Sequence, residues 1–179
     1  MEDWPKQLFF AHVSCSPPIG EDAVDLPGTC MNMRSPTLLV IEASSDQALL
    51  FAAAARRARA GLAVYTAGDG LEGISYLAGL PPFDDRGTYP VPELVLLDPT
   101  MPDIDGFEVL AWIRDREPVL DVPVVVLTKS PSKRDTKRFR ALGAREVHRK
   151  PEDPEELNQL VRSIVDRWVR AGEMIGAHL

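Results

Sequence analysis

Four short apolar runs each end in a residue able to do chemistry. "TLLVIE" ends in Glu42, "ELVLLD" in Asp98, "VPVVVLT" in Thr128, and "REVHRK" in Lys150, with Pro151 behind it. A carboxylate at the mouth of a buried segment is costly unless it pairs or reacts. Carboxylates act as nucleophiles towards phosphorus and form acyl phosphates. Such a site must neutralise charge with a hard cation on oxygen ligands, a lysine as a point charge, and a hydroxyl donor. Lys150 and Thr128 suit the last two roles. Glu42 and Asp98 are the oxygen ligands on offer.

These residues meet only if the runs are strands of one sheet. Between the runs lie helical patterns. Ser44 with Gln47 makes a capping-box pattern ahead of "ALLFAAAARRARAG", with Gly61 as the stop. "LAVYTA" reads as a strand, and "GLEGISYLAG" as a shorter helix. A Pro-rich polar loop, "LPPFDDRGTYPVP", precedes the Asp98 strand. Asp105 and Glu108 form a second capping box, with Phe107, Leu110 and Ile113 near one face. "VPVVVLT" is apolar enough to be buried on both faces, and "REVHRK" is polar enough for a sheet edge. "SKRDTKRFRALGA" is a basic helix, read as a solvated face. The last helix starts at Asp153-Pro154 and carries Leu157, Leu160, Val161, Ile164 and Trp168 at helical spacing. Strand and helix thus alternate five times. That order implies a doubly wound α/β domain: a parallel sheet with helices on both faces. Chemistry in such sheets sits beyond the carboxyl ends of the strands, where these four residues fall.

The chain has 179 residues, 45% hydrophobic and 26% charged, which suits one soluble domain with a core. Residues 1–35 are rich in turn signals and read as a poorly ordered extension. Residues 36–170 form the domain, and 171–179 a short tail. A net charge of −7 and the lack of a long apolar run leave no nucleic-acid or membrane partner expected. Cys15 and Cys30 form neither a disulfide framework nor a metal pair. The N-terminus lacks the features of a signal peptide, so a cytoplasmic location is expected.

Residues 36–170 resemble the receiver domains of two-component response regulators. The resemblance rests on Glu42 after the first strand, on "LLDPTMPDIDG" with Asp98 in the phospho-acceptor position, on "VVVLT" with Thr128, and on "RKP" with Lys150. The long loop before the third strand is similar to that of regulators found beside bacterial phytochrome kinases. The resemblance implies a flavodoxin-like fold (CheY-like) with strand order 2-1-3-4-5. It also implies an aspartyl phosphate at Asp98, with Thr128 and Lys150 beside it. A Mg²⁺ ion would be held by Glu42, Asp98 and the backbone carbonyl of Thr100. The implied partner is a histidine kinase or phosphotransfer protein. The apolar last helix and its neighbouring elements offer contacts to a second copy.

The sequence departs from the family pattern in three places. Ala43 stands where a second acid normally binds Mg²⁺, which implies a weak or lost metal site. Lys129 follows the threonine where a small residue is usual. Val147 replaces an aromatic residue, with His148 beside it, read as a satisfied edge-strand side chain. A phosphorylation-independent pseudo-receiver is therefore a second reading. A phosphohydrolase with an aspartate nucleophile is a third, but it lacks the usual second Asp, since Thr100 stands there. A flavodoxin-like cofactor domain lacks its Gly-rich phosphate loop. Too few residues follow the last helix for a helix-turn-helix domain, so a non-enzymatic regulator signalling through protein contacts is expected.

Overall fold

The structure, a computed structural model, describes residues 35–116 and 121–169. The N-terminal extension up to residue 34, the tail and both cysteines lie outside the described residues. Ten elements alternate along the chain: β1 Thr37–Ile41, α1 Ser45–Ala58, β2 Ala63–Ala67, α2 Gly70–Ala78, β3 Leu94–Leu97, α3 Gly106–Arg114, β4 Val124–Thr128, α4 Lys133–Ala141, β5 Glu146–Arg149 and α5 Pro154–Trp168. The five strands are parallel and ordered β2-β1-β3-β4-β5. This is the flavodoxin-like doubly wound sheet expected from the sequence.

Successive strand side chains point to opposite faces, so β1 to β4 each feed two cores. Leu38, Val40, Leu94, Leu96, Val125 and Leu127 pack under Phe51, Ala54 and Ala55 of α1 and Val161, Ile164 and Val165 of α5. Leu39, Ile41, Val95, Leu97, Val124 and Val126 pack under Ile74 and Leu77 of α2, Val109 and Leu110 of α3, and Phe139 of α4. β1, β3 and β4 are buried at every position. That explains their unbroken Val, Leu and Ile runs. The polar β5 does take the edge.

Helix starts follow the caps. Asp105 Oδ1 accepts from the N–H groups of Phe107 and Glu108, and Glu108 Oε2 accepts from Asp105 N–H, completing the box. Asp153 Oδ1 accepts from the N–H groups of Glu155 and Glu156, with Pro154 opening α5. The box expected on α1 is only half formed. Ser44 Oγ accepts from Gln47 N–H at 3.4 Å, but Ser44 N–H donates to Glu42 Oε1 at 3.0 Å. The Gln47 side chain goes elsewhere.

Candidate functional site

Glu42, Asp98 and Lys150 each stand one residue beyond a strand, and each is held by one further parallel ladder bond. Glu42 N–H donates to Ala67 C=O at 3.0 Å, Asp98 N–H to Ile41 C=O at 2.9 Å, and Lys150 N–H to Thr128 C=O at 2.9 Å. The sheet itself therefore fixes where these side chains start. Thr128 closes β4 on the same edge. All four side chains belong to buried residues, at 3%, 8%, 7% and 8% exposure for Glu42, Asp98, Lys150 and Thr128. The three charges must then satisfy one another.

They do so through Lys150. Its Nζ donates to Glu42 Oε2 at 2.5 Å, to Asp98 Oδ2 at 2.5 Å and to Gln47 Oε1 at 2.9 Å. The other oxygen of each carboxylate takes a backbone donor. Glu42 Oε1 accepts from Ser44 N–H at 3.0 Å, and Asp98 Oδ1 from Thr100 N–H at 2.8 Å. The Phe51 ring centroid lies 5.4 Å from Nζ. The Thr128 side chain stays outside this network. Gln47 is the participant that sequence reasoning missed. Its spacing from Ser44 marks a cap, and nothing local points it towards a lysine 103 positions later.

The turn after Asp98 is tightly built. Asp98 receives Thr100 N–H, Ile104 N–H donates to Pro102 C=O, and Gly106 N–H donates to Pro99 C=O at 3.1 Å. A Cβ on Gly106 would lie 2.5 Å from Pro99 Cα, so α3 starts against this turn only because residue 106 is glycine. Asp103 takes φ 63°, a left-handed conformation that Asp tolerates better than most residues.

The departures sit around this centre. Ala43 is exposed and brings no oxygen, and Asp46 is exposed. Among the described residues, no group of three or more His, Cys, Asp or Glu gathers as a metal site. Lys129 is exposed, and Val147 is half-buried against the α2–α3–α4 side of the core. His148 Nε2 meets Glu146 Oε2 at 2.6 Å, a partnered edge-strand histidine as expected. Glu146 also accepts from Arg167 Nη1 at 2.6 Å and Trp168 Nε1 at 2.7 Å. Burial pushes the Glu146 carboxyl up, but the bonds from His148, Trp168 and Arg167 outweigh it and leave it below its ordinary value.

Residues 38–162 match the response regulator receiver domain. The chain belongs to that family. It is 31% identical over 132 residues to the probable methanogenesis regulatory protein FilR2 of Methanothrix harundinacea (strain 6Ac), across 74% of this chain and 83% of that one. Stretches shared with two further curated regulators span only 36% and 49% of their lengths. Among solved structures, it is similar to the phosphorylated cyanobacterial phytochrome response regulator RcpA. The TM-score is 0.68 at 29% identity, covering 75% of this chain and 94% of that one. The Mn²⁺-bound form of response regulator Rcp1 gives a TM-score of 0.67 at 27% identity, covering 80% and 99%. Receiver domains in general interact with histidine kinases or phosphotransfer proteins. No helix among the described residues is long and apolar enough to cross a membrane.

Proposed function

We propose that this protein is a two-component response regulator that takes a phosphoryl group on Asp98 from a histidine kinase or phosphotransfer protein. The observation that carries this reading is the 2.5 Å contact between Lys150 Nζ and Asp98 Oδ2 at the mouth of β3. An Asp98 oxygen bonds to phosphorus as the P–N bond of a phosphohistidine breaks. The bonding pair leaves on the imidazole nitrogen, which then takes up a proton from water. Lys150 supplies the point charge for the phosphoryl oxygens, and Thr128 the hydroxyl donor. The protein acts as an acceptor and not as a turnover enzyme. It signals in the cytoplasm through protein contacts, including a second copy docked along α5.

The donor set does not fit a divalent cation as folded. Mg²⁺ demands an octahedron of oxygens. Here both carboxylates are bridged by Lys150, and Ala43 offers nothing. Mg²⁺ binding is therefore weak or lost, since only Glu42, Asp98 and the Thr100 carbonyl are left as ligands. The same observation favours a second reading, a receiver that works as an interaction module without phosphate.

The test is incubation with a small-molecule phosphodonor across a Mg²⁺ titration, followed by intact-mass measurement. One phosphoryl increment, lost in Asp98→Asn, is expected. No increment at any Mg²⁺ concentration, with Ala43→Asp restoring it, would establish the second reading. Steady hydrolysis of phosphate esters would overturn both.

A further inference from the structure

An ammonium group has three N–H donors and no acceptor. Lys150 Nζ faces three oxygens, those of Glu42, Asp98 and Gln47. Its donors are fully committed in the resting protein. A phosphoryl group on Asp98 brings oxyanions that need a donor. Lys150 can supply one only by letting an acceptor go. Phosphorylation turns the Asp98 carboxylate into an acyl phosphate with a neutral carbonyl oxygen, so the bond to Asp98 loses its charge assistance and is the one that yields. Glu42 keeps its charge, and the Gln47 amide, at 2.9 Å from Nζ, keeps its place.

We infer that Gln47 is a positioning residue for Lys150. With Glu42 it anchors the ammonium, so that the third donor is aimed at Asp98 in the resting protein and passes to a phosphoryl oxygen when Asp98 is phosphorylated. The hand-over rests on the proposed phosphoryl acceptance; the anchoring does not.

The local sequence explains how Gln47 is free to do this. It is the third residue of α1, where Gln or Glu commonly folds back onto the N-cap N–H. Here that N–H belongs to Glu42 Oε1 at 3.0 Å. Glu42 thus closes the start of α1 with one oxygen and holds Lys150 with the other. The displaced amide turns to Lys150 instead.

The test uses the full chain labelled with ¹⁵N. The Lys150 Nζ resonance is assigned by its loss in Lys150→Arg, and its proton exchange is measured beside the melting temperature. In Gln47→Ala, exchange at Lys150 is expected to speed up about tenfold, as an ordered donor loses its partner, with the melting temperature little changed. In Gln47→Glu, a third charged acceptor should slow exchange. Unchanged exchange in both variants would overturn the anchoring role. Beryllofluoride binding then tests the hand-over: it is expected to weaken in Gln47→Ala, where the donor has lost its anchor. Affinity equal to or tighter than that of the unsubstituted protein would overturn it. If neither protein binds beryllofluoride, the proposed function and the hand-over fall together, while the exchange rates still decide the anchoring.

Discussion

Lys150 neutralises two carboxylates at once, and that sets what its loss should do. Lys150→Met would leave Glu42 and Asp98, at 3% and 8% exposure, facing each other without a counter-ion. Breaking a buried pair from one side costs roughly 3 kcal/mol or more. A fall of that size in unfolding free energy, measured in urea, is expected. Ala43→Asp acts at the opposite side of the same balance. It adds a carboxylate at an exposed edge position, and Mg²⁺ binding measured by calorimetry is expected to tighten about tenfold, roughly 1.4 kcal/mol. Glu146 supplies a pH signature. Its carboxyl lies below its ordinary value in the fold, so the unfolded chain binds more protons there. The resulting stability is present above the unfolded pKa and is lost as pH falls through the folded one. Glu146→Gln should therefore flatten the acid limb of a stability–pH curve below the ordinary carboxylate range. Fluorescence of Trp168, whose Nε1 donates to Glu146, follows the same transition.

The connection from α2 to β3 shows how far an element can differ from its composition. Its prolines and charges read as a polar loop, yet it folds onto an aromatic cluster. Phe83 is 3% exposed, with its ring centroid 5.3 Å from Tyr76 and 5.1 Å from Tyr89. Arg86 donates to the carbonyls of Tyr76 at 2.9 Å, Leu77 at 2.8 Å and Tyr89 at 3.2 Å, so the loop closes the end of the helix it follows. A cation at a helix C-terminus also suits the helix dipole. Gly79 ends α2 at φ 67°, in the left-handed region. Phe83→Ala is expected to cost about 3 kcal/mol through the cavity it leaves. Arg86→Ala should cost about 1–2 kcal/mol through the carbonyls it strands. Chemical denaturation of both variants checks this, and two wild-type values would mean the loop is merely draped over the domain. The length of this segment was legible in the sequence. Its packing was not, because one buried Phe and one bridging Arg are invisible among exposed neighbours.

At the scale of the whole molecule, five strands divide two cores between them. β1, β3 and β4 have neighbours on both sides, while β2 and β5 have one each. Hydrogen exchange should therefore be slowest in β1, β3 and β4 and markedly faster in β2 and β5. Uniform protection across all five strands would contradict a sheet whose edges open first. Glu42, Asp98 and Thr128 stand at the ends of the inner strands β1, β3 and β4, and Lys150 one residue beyond the edge strand β5.

Local pattern alone determined the alternation of strands and helices, the caps at Asp105 and Asp153, and the convergence of Glu42, Asp98, Thr128 and Lys150 on one edge. These follow from hydrophobic period and chain direction, which are properties of short segments. Alternation leaves the strand order open, and 2-1-3-4-5 came from the family resemblance; the structure bears it out. Only the tertiary structure decided what Lys150 touches. Its partners lie 108, 103 and 52 positions away along the chain. Whether Gln47 caps its own helix or reaches that lysine depends on which side chain first takes the Ser44 N–H. That competition is settled by packing around a buried charge, and no spacing rule records it.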